Sequence, residues 1–147
     1  MTRPGAVVTV DASVWVASVV ATEAAHGVCL ALVRSLLATP ARLVQPTLFS
    51  VELAAALGRR FPGTPAARDV IRTLAACPAL EVIPLGATLA AHATQLAADC
   101  ALRGADAVYV ATALHAGATL VTLDAEVVRR AGAVVPVRTP PQWLEGC

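Results

Sequence analysis

Five short, mostly apolar runs recur along this chain, and a stretch with helical signals separates each from the next. The runs cover residues 6–10, 42–45, 80–83, 119–122 and 134–137. The first of them, Val7-Val8-Thr9-Val10, is β-branched throughout and lacks alternation, as a strand buried on both faces does. Between the runs the sequence predicts helices over 13–20, 23–37, 48–60, 65–76, 88–102, 107–115 and 125–131. Thr47 is placed to cap the third of these and Asp106 to open the sixth. Breakers fall where the elements end: Thr39-Pro40, Phe61-Pro62-Gly63, Cys77-Pro78, Pro84 and Gly117. The tail from Thr139 is expected to turn and pack through Trp143. Strands alternating with helices make βα units, and these dictate a parallel sheet with right-handed crossovers and helices on both faces.

A chain of 147 residues reads as one domain over 1–147, long enough to bury about two-thirds of its unfolded surface. Hydrophobic residues make up 57% but aromatics only 3%, so Ala, Val and Leu must build the core. At 14% charged residues, acids are scarce, and where each one falls carries information. Every basic residue is Arg. With a net charge of +1 no whole-molecule field draws the chain to nucleic acid, so a polyanion would have to be held by a local Arg cluster. Asp11 comes too early for a signal peptide, and Glu23, His26 and Gly27 interrupt the apolar stretch 14–33, which argues against a membrane span. Cys29, Cys77, Cys100 and Cys147 have no CxxC spacing. They are expected to be reduced core thiols in a cytoplasmic protein.

The acids sit at element boundaries. All strands of a parallel sheet end at one edge, and the N-termini of the connecting helices lie at that same edge. Asp11 follows the first strand directly, and Asp124 lies two residues past Thr122. Asp106 stands at a helix start, and Glu52 lies in the first turns of the helix after the second strand. Topology therefore brings all four to one rim. Asp106 or Asp124 alone would read as an ordinary N-cap. Glu52 is harder to explain structurally, because it borders an apolar stripe of Phe49, Leu53, Ala56 and Leu57. Four gathered carboxylates repel one another by up to about 4 kcal/mol per pair at roughly 4 Å and an effective dielectric near 20. No Lys is present to neutralise them. A hard divalent cation is the natural remedy, and carboxylates with water suit Mg²⁺ or Mn²⁺. His26, His92 and His115 fall on helices away from this rim, and Asp69 and Asp99 read as mid-helix residues facing water. Arg59, Arg60 and Arg103 are candidates for gripping phosphate oxygens.

Four segments carry a family likeness in order and spacing. They are Val8-Thr9-Val10-Asp11-Ala12-Ser13-Val14-Trp15-Val16, Gln45-Pro46-Thr47-Leu48-Phe49-Ser50-Val51-Glu52-Leu53, Gly104-Ala105-Asp106-Ala107-Val108-Tyr109-Val110-Ala111-Thr112-Ala113 and Leu120-Val121-Thr122-Leu123-Asp124. The chain resembles PIN-domain ribonucleases, especially the VapC-like toxins of bacterial and archaeal toxin–antitoxin pairs. The resemblance implies an α/β fold of three α/β/α layers with a five-stranded, mainly parallel sheet in the order 3-2-1-4-5. It implies that Asp11, Glu52, Asp106 and Asp124 form the catalytic, metal-binding quartet, supported by the hydroxyls of Ser13 and Thr122. Glu126 is the only nearby counterpart of a further acid the family sometimes carries, and Asp99 stands two turns before Asp106.

The activity implied is Mg²⁺- or Mn²⁺-dependent hydrolysis of RNA phosphodiester bonds by a toxin paired with a cognate antitoxin protein. A homodimer is expected on the same basis and on the high apolar content. Two other classes compete. One is a PIN-fold RNA- or protein-binding module without nuclease activity, against which the complete quartet speaks. The other is a phosphatase acting through Asp11, which would want a second Asp where Ser13 stands. Gly-rich phosphate loops are absent.

Overall fold

A computed structural model of the chain describes residues 5–146. Strands β1 (Val7–Val10), β2 (Arg42–Pro46), β3 (Leu80–Ile83), β4 (Thr119–Val121) and β5 (Val137–Arg138) form one sheet in the order β3-β2-β1-β4-β5. Every pairing is parallel. The helices are α1 (Ala12–Val19), α2 (His26–Ala38), α3 (Leu48–Arg60), α4 (Ala66–Ala75), α5 (Ala87–Cys100), α6 (Gly104–Ala116), α7 (Ala125–Ala131) and α8 (Pro140–Gly146). They cover both faces of the sheet, giving the three-layer α/β/α architecture. Among the described residues no helix is long and apolar enough to cross a membrane.

The central strand β1 and the helix α6 explain why the site is rigid. Val8 and Val10 are wholly buried, as β-branched residues between two helical layers should be. Every residue from Ala107 to Ala113 is buried too, because α6 packs on β1, β2 and β4 and pairs with α5. Small residues on α6 (Ala107, Ala111, Ala113) permit that close approach. Gly117 then ends the helix at φ 61°, a left-handed conformation that favours glycine.

Several boundaries differ from expectation, each for a local reason. The fifth strand begins at Val137, not Val134, because the N–H groups of Val134 and Val135 both turn back to the Ala131 carbonyl. Strand two runs one residue past 45: Pro46 sits within β2, and the Thr47 N–H makes the next ladder bond, to the Ile83 carbonyl (2.9 Å). Thr47 stands at the N-cap of α3 as expected, but its side chain makes no capping bond. Its Oγ1 accepts instead from the Leu85 N–H (3.0 Å), tying α3 to the segment after β3. The second helix starts at His26, after a turn in which Glu23 N–H bonds Val20 and His26 N–H bonds Glu23.

Asp106 is the third residue of α6, and Arg103 occupies the N-cap. Asp69 lies in the first turn of α4, paired with Arg72 at 3.5 Å, and Asp99 lies in the last turn of α5, so neither is mid-helix. The tail forms α8, with Trp143 buried as expected. Cys29 is in the core, where burial raises its thiol pKa to about 11. Cys77 and Cys100 are half-buried, and Cys147 lies outside the described residues.

Candidate metal centre

β1 delivers the first acid. The parallel ladder continues one residue past the strand, where the Asp11 N–H bonds the Val121 carbonyl at 2.9 Å. That bond locks the end of β1 to the end of β4 and fixes where the Asp11 side chain begins. Its Oδ2 then accepts from Ser13 Oγ (2.8 Å) and from Thr122 Oγ1 (2.9 Å). The same Thr122 Oγ1 accepts from the Asp124 N–H at 3.0 Å, so one buried hydroxyl joins the first and fourth acids. Asp124 N-caps α7, its Oδ1 accepting from the Glu126 N–H at 2.8 Å.

The remaining two acids come from the helices. α3 carries Glu52 beside the buried Phe49, Leu53 and Leu57, and α6 carries Asp106 one turn before Tyr109. All four carboxylates line one cavity of about 430 Å³, with Ser13 and Arg103 in its wall. The convergence expected from topology is therefore what the structure has. Among the described residues no three of the acids already stand close enough together to hold a metal ion as they are.

The electrostatics of the cavity are uneven. Burial, foremost, raises the Glu52 carboxyl above its ordinary value; the Tyr109 hydroxyl opposes this, and the charges of Asp11 and Asp106 add smaller upward pushes. Glu52 Oε1 is buried with no hydrogen-bond partner, and so is the Tyr109 hydroxyl that faces it, the pair falling short of full hydrogen-bond geometry. Asp106 is likewise raised, first by burial and then by Asp11. Arg103 pulls it down without overcoming these. Tyr109, 1% exposed, is pushed far up by burial and by Glu52, so it remains a neutral phenol.

Arg103 is where expectation and structure part. The neutralising residue that Lys could not supply is this arginine. Its Nε donates to Asp106 Oδ2 at 3.1 Å and its Nη2 to Asp124 Oδ2 at 2.6 Å. The quartet is therefore partly paired. Arg60 is also committed, to Glu23, whereas Arg59 has no ion-pair partner among the described residues. Arg59, Arg60, Glu23, Ser13 and Glu52 line a second cavity of about 480 Å³, which joins the first along Ala12, Ser13, Glu52 and Leu123. Glu126 turns away to pair with Arg129 and Arg130.

His26 bonds the Ala17 carbonyl through Nδ1 (2.8 Å), and His92 lines a separate cavity with Asp99, so neither borders the acids. Tyr109 is a site residue that the sequence motifs do not mark as one. Its signal was available, since it is the chain's only Tyr and stands one helical turn from Asp106.

The donor set suits a hard divalent cation. It consists of carboxylate oxygens with two hydroxyls close by, and it includes a buried carboxylate oxygen without any partner. The PIN domain family model matches residues 8–133, spanning all four acids. The chain belongs to the PIN domain family. No curated protein sequence matches this PIN domain.

Among solved structures, VapC20 from Mycobacterium tuberculosis, described as a sarcin–ricin loop cleaving toxin, aligns at a TM-score of 0.71 and 22% identity. That alignment covers 83% of this PIN domain and 93% of VapC20. FitAcB from Neisseria gonorrhoeae aligns at 0.67 and 20% identity, over 90% of this chain and 97% of its own. VapBC2 from Rickettsia felis, solved bound to a DNA fragment from its promoter, aligns at 0.68 and 13% identity, over 90% and 98%. At such identities these likenesses speak for the fold.

Proposed function

We propose that this PIN domain is a metal-dependent endoribonuclease, the toxin of a VapBC-type toxin–antitoxin pair, working as a single domain over residues 1–147. The observation that carries the reading is the gathering of Asp11, Glu52, Asp106 and Asp124 around one cavity, with Glu52 Oε1 buried and unpartnered. A hard divalent cation would relieve that cost.

In this reading the four carboxylates hold Mg²⁺ or Mn²⁺. When bound, such a cation supplies Lewis acidity that activates water near neutral pH and offsets the charge growing on the phosphate. The chain's own contributions are positional. Thr122 and Ser13 fix Asp11 Oδ2, and the Asp124 cap on α7 fixes the fourth acid. The neutral Tyr109 hydroxyl faces Glu52 and orients that carboxylate once it is ionised. In the same reading Arg59, in the wall of the second cavity, takes a neighbouring phosphate of an RNA strand.

One of the structurally similar proteins is a toxin–antitoxin complex from Klebsiella pneumoniae, and another, FitAB, is bound to a DNA fragment. That kinship supports an antitoxin protein as partner here. A homodimer and a cytoplasmic location belong to the same proposal. The second reading, a PIN fold that binds RNA or protein without cutting, has one observation in its favour: Arg103 already occupies Asp106 and Asp124.

One assay separates the two. Structured RNA is incubated with the wild type in Mg²⁺, with the wild type in EDTA, and with Asp106→Asn in Mg²⁺. Cleavage confined to the first reaction is expected. Cleavage that survives both chelator and substitution would overturn the metal mechanism, and RNA binding with no cleavage in any reaction would favour the second reading.

A further inference from the structure

The cation that this fold supplies to its own acids is as informative as the acids. Arg103 reaches across the rim from the N-cap of α6 and bridges two of the four carboxylates, at 3.1 Å to Asp106 and 2.6 Å to Asp124. The two residues that lead into it are fixed. Ala101 adopts the left-handed conformation (φ 53°) that closes α5, the Leu102 N–H bonds the Ala97 carbonyl (3.1 Å), and Arg130 Nη1 bonds the Ala101 carbonyl (2.6 Å). The side chain, by contrast, is 78% exposed, while its partners Asp106 and Asp124 are 17% and 23% exposed. An exposed guanidinium thus reaches from a fixed point over two largely buried carboxylates.

The arrangement occupies three of the four carboxylate oxygens on that side, leaving Asp106 Oδ1. Asp124 Oδ1 is taken by the Glu126 N–H and Oδ2 by Arg103, and Asp106 Oδ2 is taken by Arg103 as well. Four carboxylates against one guanidinium still leave a formal excess of negative charge, so Arg103 neutralises the cluster only in part. A divalent cation drawn by the remainder meets Arg103 at Asp106 and Asp124.

Resting on the metal-dependent reading above, we propose that Arg103 is an internal counter-ion that competes with the divalent cation for Asp106 and Asp124. Metal binding requires Arg103 to let go, and the arginine sets a metal affinity lower than the bare acids would have. The cost of release is modest, because an exposed ion pair is screened by solvent. Arg103 is thus a positioning residue acting through two acids. The opposite role, in which Arg103 holds Asp106 and Asp124 ready for metal, predicts the opposite change when it is removed.

The test measures Mn²⁺ binding, by electron paramagnetic resonance of free Mn²⁺, to the full chain as wild type, Arg103→Gln and Arg103→Lys. Competition predicts that Arg103→Gln binds Mn²⁺ about three- to tenfold more tightly than wild type, in keeping with the small worth of exposed ion pairs. Arg103→Lys, which keeps the charge but loses the two-pronged grip, should fall between the two. Equal or weaker binding by Arg103→Gln would overturn the competition while leaving the metal site standing. Absence of Mn²⁺ binding by all three proteins at millimolar concentration would instead overturn the metal-dependent reading itself, and the competition with it. Circular dichroism melts of the three proteins confirm that the exposed side chain is not needed for folding. Should Arg103→Gln melt early, Arg103→Lys alone decides the sign.

Discussion

The acidic cavity has two walls built on opposite terms. On the sheet wall nearly everything is satisfied: Asp11 Oδ2 takes two hydroxyls, Asp124 has a donor on each oxygen, and Thr122 ties them together. On the helix wall, where Glu52 of α3 faces Tyr109 of α6, Glu52 Oε1 and the Tyr109 hydroxyl are buried without full hydrogen-bond partners. The first wall is what the fold can finish with its own hydrogen bonds. The second holds unrelieved charge, and it is the part of the site whose energy a cation would change most. Position comes from one wall and affinity from the other.

The largest effect should come from emptying the sheet wall of its charge. Asp11→Asn keeps the shape and both hydroxyl neighbours, yet RNA cleavage in Mg²⁺ should drop on the order of 10³-fold or more. Thr122→Val is next. It deletes the hydroxyl joining Asp11 to Asp124 while filling the same buried space, and should cost about 10–100-fold in metal affinity and cleavage. A change under about twofold in calorimetric metal binding would mean that the sheet wall does not position the acids.

The helix wall responds in stability rather than in rate alone. Glu52 and Asp106 keep their protons to higher pH when folded than their ordinary values of 4.5 and 3.8. Over that interval the native state binds more protons than the unfolded chain, so the metal-free protein should lose stability as pH rises through it. Glu52→Gln removes one source of this loss. Its melting temperature in EDTA at pH 8 should exceed that of the wild type by roughly 2–4 °C, about 1 kcal/mol for a chain this size. A lower melting temperature would show Glu52 to be a structural partner after all. The smallest effect is Ser13→Ala, an exposed hydrogen bond to an oxygen that Thr122 also serves, with cleavage falling about threefold at most.

The sequence made the architecture legible because its signals were local and redundant. Val7–Val10, Leu80–Ile83 and Ala125–Ala131 fell within a residue of expectation, since β-branched runs or an Asp cap sat beside proline or glycine breakers. The rim position of all four acids followed from parallel topology alone. What failed was whatever depended on side chains meeting across the fold. Thr47 looks like a cap but serves Leu85, and Pro136 lends only a carbonyl where a strand had been expected. Arg103 reads as one surface arginine among several, because its tie to Asp124 spans 21 positions. Tyr109 is not legible as a site residue in the sequence, because its phenol matters only once Glu52, 57 positions away, faces it.

The account stands or falls on whether the helix wall wants a cation. Thermal melting at pH 7.5, with Mg²⁺ at millimolar concentration or with EDTA, measures that directly on wild type and Glu52→Gln. The prediction is a melting temperature raised by Mg²⁺ in the wild type, as for any ligand that binds only the native state, and a clearly smaller rise in the variant. Identical curves for the wild type in Mg²⁺ and EDTA would contradict it.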